Sequence, residues 1–251
     1  MNLSSILVVS AILVILFLFL FKLFTPDVAL NLKDLSFGTI LLASINTLIR
    51  LLISYFFSLF LSIPISLLIT KSENSERILL PISDIIQSIP VLAFFPIVVV
   101  AFIKLNLTEG AVIFILFLAM LWNLVFSMIG GLKTIPRDIL DAAKIFRIGG
   151  FNRLRYVILP SIFPYIITGS LLAWAQGWSL LIVAEALHSF VPNSSSNSDP
   201  LGLGSLLVNS FYQGQDFVFL VTLIVMVIII TLINFFVWQK LLHLAERFKF
   251  D

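Results

Sequence analysis

Cysteine is absent from the 251 residues. That excludes disulfides, thiolate chemistry and cysteine-ligated zinc or iron–sulfur sites. Histidine is nearly absent: His188 and His243 are far apart and neither sits in a metal-binding spacing such as H-E-x-x-H. Charged residues make up 11% of the chain, against about 25% in soluble domains. The net charge of +2 is too small to point to nucleic acid. No G-x-x-x-x-G-K-[ST] run is present to cradle nucleotide phosphates, and no G-x-S-x-G or other catalytic constellation appears. No long polar linker divides the chain, so although the length allows one or two domains, one continuous membrane domain fits better.

What is present is apolar. Hydrophobic residues make up 60% of the chain, the mean hydropathy is +1.15 and there are 25 phenylalanines. A soluble protein of this composition would have too little polar surface to face water, so lipid is the matching solvent. A crossing helix needs roughly 20 apolar residues. Five such runs are predicted at 6–24, 39–70, 111–129, 161–187 and 217–238. The first lacks a basic start and a small-residue cleavage site, so it reads as a retained anchor. Pro64 is expected to kink the second. A sixth lies in PISDIIQSIPVLAFFP, where Pro81, Pro90 and Pro96 do not fit one straight helix. A short helix, a break and a span ending near Ile103 are expected there. These runs lack the alternating polar positions of a β-barrel. The fold expected is therefore an all-α membrane protein of six transmembrane helices, with 1–37 an anchor helix and outer loop and 38–251 the core domain.

Lysine and arginine orient the chain. With the N-terminus inside, the cytoplasmic segments are 71–80, 132–159 and 240–251; they hold eleven basic residues and the opposite side three. Both termini are expected in the cytoplasm of a multi-pass protein of the plasma or inner membrane.

The cytoplasmic loop 132–159 is the most informative segment. Thr134 is expected to cap a short helix, with Pro136 in its first turn and Asp138 complementing its positive end. Ile139, Ala142, Ala143 and Phe146 recur at helical spacing to give one apolar face, opposite Arg137, Asp138, Asp141 and Lys144. Gly149-Gly150 is expected to end it, and a second short helix over 151–158 leads into Leu159-Pro160. Such faces need a cover, either lipid headgroups or a partner protein.

Asp141-Ala142-Ala143 followed by Ile158-Leu159-Pro160 resembles the E-A-A…I-x-L-P loop of ABC importer permeases. Pro81, Asp84, Ser88-Ile89-Pro90, Ala93 and Pro96 resemble the P-x-x-D-x-x-x-S-I-P-x-L-A-x-x-P run of the nitrate, sulfonate, taurine and bicarbonate subfamily. Val183-Ala184-Glu185 and Gly202-Leu203-Gly204 resemble its V-A-E and G-L-G elements. The resemblance covers about 45–240. It departs at Asp141, where the family has glutamate, and at Arg147, where the family has glycine; the turn is then expected two or three residues later.

The resemblance implies a type I (MetI-like) permease bundle whose loop couples to an ATPase. The coupling residues carried over are Arg137, Asp138, Asp141, Ala142, Ala143, Phe146, Arg147, Gly149, Gly150, Leu159 and Pro160. It also implies a second permease subunit, two ABC ATPases that bind ATP and magnesium, and an external solute-binding protein. No cofactor is then expected in this chain. Candidate residues for the solute path are Arg50, Ser88, Pro90, Trp122, Asn123, Trp174, Gln176, Trp178 and Glu185. Arg50 has a fork suited to an oxyanion, but pairing with Glu185 or snorkelling to the surface is equally open. For Glu185, pairing with a neighbouring helix or simply reaching water is favoured over solute contact. The polar stretch 189–216 reads as an outer loop. An ion-coupled transporter is the alternative, against which stands the lack of an internal repeat. A lipid-acting enzyme lacks the acid and histidine cluster it needs.

Overall fold

The computed structural model describes residues 37–105, 107–187 and 199–248. The expected span at 6–24 and the serine run at 194–198 lie outside the described residues. Among the described residues every regular element is helical. In chain order they are α1 (Phe37–Ile69), α2 (Glu73–Ser88), α3 (Val91–Lys104), α4 (Thr108–Thr134), α5 (Arg137–Ile145), α6 (Gly150–Glu185), α7 (Leu203–Tyr212) and α8 (Asp216–Glu246). Four of them, α1, α4, α6 and α8, are long and apolar enough to cross a bilayer. The pair α2 and α3, bent by 76°, makes a fifth if counted as one span. The remaining expected span, at 6–24, is the one outside the described residues.

The broken span falls where the prolines predict, though only one of the three makes the break. Ile89 and Pro90 separate α2 from α3, while Pro81 and Pro96 lie inside helices. Ser72 caps α2, its hydroxyl taking the Ser75 amide at 3.1 Å, so the helix starts eight residues before Pro81. Pro64 likewise lies within the single run of α1.

Contacts divide the described residues into two compact units, one drawn from 37–49 with 182–239 and the other from 50–181 with 240–248. In the second unit a constant offset defines the packing. Arg50 meets Glu109, the Ser54 hydroxyl donates to the Ile113 carbonyl and the Ser58 hydroxyl to the Phe117 carbonyl, each pair 59 residues apart. A constant offset means that α1 and α4 run in the same direction. The chain must therefore return between them, and the bent pair α2–α3 supplies that return. Lys133 in the last turn of α4 reaches Glu76 in the first turn of α2 at 2.5 Å, so the end of α4 and the start of α2 lie together.

Helix α6 runs opposite to α4. Gly131 abuts Tyr165, Gly169 abuts Ser127, and Gly177 abuts Met120 and Leu51. A Cβ on Gly131 would lie 2.8 Å from the Tyr165 ring, and one on Gly169 2.6 Å from Ser127. Glycine here sets the interhelical distance, as small residues do where lipid offers no hydrophobic drive to associate. The Ser127 hydroxyl donates to the Tyr165 carbonyl at 2.6 Å across the same seam.

Much of the buried face of α1 is polar. Ser44, Thr47, Arg50, Ser54, Ser58, Ser62 and Ser66 are all buried, while Phe56, Phe57 and Phe60 are exposed. This reverses the pattern of a soluble helix, because lipid is less costly for phenylalanine to face than for serine. In the first unit, α7 packs along α8.

Candidate functional site

Helix α5 begins at Arg137 with Pro136 at its N-cap, and Asp138 in its first turn faces the positive helix end. Thr134 is not its cap: it closes α4, and its hydroxyl donates to the Gly131 carbonyl. At the other end the glycines do not make the stop. Ile148 donates its amide to the Ala143 carbonyl at 2.8 Å and Arg147 to the Lys144 carbonyl at 2.9 Å, the paired bonds of a Schellman termination. The left-handed residue this requires is Arg147, with φ of 52°. The turn therefore stays at the position of the family's glycine. Its hydrogen bonds hold an arginine where φ is positive at a cost of roughly 1–2 kcal/mol. Gly150, also at positive φ, starts the next helix.

That helix does not stop at Leu159-Pro160. A π-helical turn at Leu154–Ile158, with the Leu159 amide reaching the Leu154 carbonyl, carries it into α6. The wider turn lies immediately ahead of Pro160, which has no amide to give. α5 packs against this turn. Its apolar face is divided: Ala143 is buried, while Ala142, Ile145 and Phe146 face outwards. Phe151 and Tyr156 are exposed as well. Arg137, Asp138, Asp141, Arg147, Gly149 and Gly150 are exposed around them, and Leu159 and Pro160 are half-buried. Lys144 sits 2.8 Å from Asp141 and holds that carboxyl below the usual carboxylate range.

The expected path residues do not gather in one place. Pro90, Trp122, Asn123 and Gln176 line one open cavity of about 370 Å³, together with Gln87, Ile89, Val91, Leu92, Leu118, Ala119 and Leu180. It lies where α2 breaks into α3, against α4 and α6. Ser88 instead turns its hydroxyl back to the Asp84 carbonyl at 2.7 Å. Trp174 and Trp178 are buried, and Trp174 lies 6.0 Å from the Tyr55 ring.

Arg50, 3% exposed, forks onto Glu109 at 2.6 and 2.8 Å. Glu109 was not singled out from the sequence. The signal was there: an acid in the first turn of a span, available to an arginine inside another.

Glu185, the last residue of α6, is fully buried against the start of α7. Its carboxylate accepts from the Thr47 hydroxyl at 2.8 Å and the Gly204 amide at 2.7 Å, and the Thr47 oxygen accepts the Leu203 amide at 2.9 Å. A Cβ on Gly202 would collide with that carboxylate. The V-A-E and G-L-G elements, 17 residues apart from Glu185 to Gly202, are thus two halves of one buried contact.

An all-helical chain with a broken span, an exposed apolar corner and an uncharged cavity among its spans is the class of a membrane transport component. Residues 63–244 match the family described as binding-protein-dependent transport system inner membrane component, and the chain belongs to it. Members are transport permease components, which places this chain among membrane proteins and not among enzymes. The chain is 28% identical over 176 residues to the nitrate import permease protein NrtB of Leptolyngbya laminosa, covering 64% of this chain and 62% of that one. Over 170 residues it is 26% identical to the bicarbonate transport system permease protein CmpB of Synechococcus elongatus, covering 68% and 57%. Over 141 residues it is 28% identical to the taurine transport system permease protein TauC of Escherichia coli, covering 56% and 50%. The matches thus span less than two thirds of each of these relatives.

Proposed function

We propose that this chain is the membrane-spanning permease subunit of an ATP-binding-cassette importer. It forms the path for a small solute and takes its driving force from separate ATPase subunits. The observation that carries this reading is the corner between α5 and α6, where Ala142, Ile145, Phe146, Phe151 and Tyr156 present apolar surface ringed by Arg137, Lys144 and Arg147. In a member of this transport family, an ATPase cleft is the cover that also supplies energy. α5 packs against the π turn of α6, so movement of α5 is delivered to a membrane helix and to the cavity α6 lines.

The complex contains a second permease subunit, identical or related, two ATPases on the α5 corners, and an external binding protein that delivers solute. ATP and magnesium are held by the ATPases. Both termini lie in the cytoplasm, a reading that the eleven basic residues of the loops on that side support. ATP binding closes the ATPases and tips the paired permeases from inward-open to outward-open, and hydrolysis resets them, a two-state equilibrium biased by a partner. The names of the relatives support a small anion or zwitterion of the nitrate, bicarbonate, sulfonate or taurine kind as solute.

The test is co-purification from the native host in mild detergent. A P-loop ATPase is expected with the parent chain and is expected to be lost from Ala142→Glu and from Phe146→Glu, which alter exposed positions. Ala143, 4% exposed, is unsuitable because its substitution disturbs the fold. A chain that purifies alone, where known ATPase–permease pairs stay together, overturns the reading in favour of an ion-coupled transporter.

A further inference from the structure

The cavity beside the α2–α3 break has an unusual chemistry for a chain that handles anions. Among the described residues lining it there is no lysine, arginine, histidine, aspartate or glutamate. Its polar groups are the amides of Gln87, Asn123 and Gln176 and the indole of Trp122; the rest is aliphatic. Its volume of about 370 Å³ is within the range of small-solute sites. The cation nearest to hand in sequence logic, Arg50, is committed to Glu109. Gln87 gives one amide hydrogen to Asp84 at 3.2 Å, and Asn123 gives one to the Ala119 carbonyl at 3.4 Å. Each NH2 group carries two hydrogens, so each keeps one for a solute while its own orientation is fixed.

Two consequences follow from neutral donors. Hydrogen bonds replace part of an anion's hydration, but no opposite charge offsets the cost of leaving water, so affinity is low. That cost grows with the square of the ionic charge, so a divalent anion is penalised about fourfold more than a monovalent one. A cation in the wall would invert both properties: it would hold the solute and favour the divalent ion.

We infer that this cavity is a weak transit site for a small monovalent oxyanion or zwitterion, held by Gln87, Asn123 and Gln176, and that its lack of charge is the device that excludes divalent anions. The inference rests on the permease reading and assigns that path its selectivity. Low affinity suits a passage, because a solute must leave as readily as it enters.

The experiment uses the full chain in lipid nanodiscs and nitrogen-15 nitrate as the probe, followed by resonance line broadening, which reports weak and fast binding. Saturable broadening in the millimolar range is expected, with equal sulfate failing to reverse it. Gln176→Ala is expected to weaken it at least threefold. Gln87→Ala, at the exposed end of α2, is expected to do the same and covers the case in which Gln176→Ala fails to fold. In Asn123→Lys, nitrate is expected to bind about tenfold more tightly and sulfate to displace it. Absence of saturable broadening, sulfate competing on equal terms in the parent, or broadening unchanged in both alanine variants would overturn the inference. None of these readouts needs an ATPase, so the permease reading stands or falls separately, on co-purification.

Discussion

At the scale of single residues, two positions hold backbone and side chain in tension. Gly202 lies against the buried Glu185 carboxylate with no room for a methyl group. Gly202→Ala must displace an acid that caps α7 and bonds Thr47, so a loss of about 2–4 kcal/mol is expected. A fall in the unfolding midpoint of the detergent-solubilised chain measures it. Arg147 is the opposite case, a residue with a Cβ where none is favoured. Arg147→Gly is expected to stabilise the α5 corner by about 1 kcal/mol, seen as slower amide hydrogen exchange at Ile148. The sequence shows the candidate pair V-A-E and G-L-G but not that they touch, because one side of a contact carries no information about what closes it. It misplaces the α5 stop for a related reason. Residue preference points to Gly149, whereas the hydrogen bonds from Arg147 and Ile148 to the last turn decide where the helix ends.

Helices bring a second kind of information. The run Ser54, Ser58, Ser62, Ser66 is visible in the sequence at four-residue spacing, yet it reads as unremarkable polarity until the buried face of α1 is known. Each hydroxyl also returns to its own helix, Ser58 to the Ser54 carbonyl at 2.8 Å. Ser58→Ala is therefore expected to change stability by less than about 1 kcal/mol, since no buried donor is stranded. Ser58→Leu forces α1 and α4 apart and is expected to cost about 1–3 kcal/mol. Comparing the two unfolding midpoints separates packing from hydrogen bonding. The proline-rich span was legible as broken because Pro90 lacks a donor and restricts the residue before it. Which of its three prolines makes the break was not, since Pro81 and Pro96 are accommodated inside helices.

At the scale of the whole molecule, phenylalanines such as Phe56, Phe57 and Phe60 face outwards. Phe60 is 78% exposed on α1, and its surroundings are read as lipid. Phe60→Lys leaves the internal contacts untouched but is expected to cost about 2.5–3.5 kcal/mol if near the bilayer centre, lowering the membrane-inserted yield in a fractionation assay. The all-helical, membrane-spanning character was legible from composition and from apolar runs without alternation, because lipid tolerates few other solutions. The direction of α1 relative to α4 was not, and it emerges from the 59-residue offset. That offset has a mechanical meaning. Ser54 and Ser58, four residues apart, meet carbonyls four residues apart, so sliding α1 by one turn would bring Ser54 to the carbonyl that Ser58 now uses. Arg50 and Glu109 are the one rung that does not repeat. The ion pair acts as the key in a ratchet, and without it the ladder has more than one place to lock.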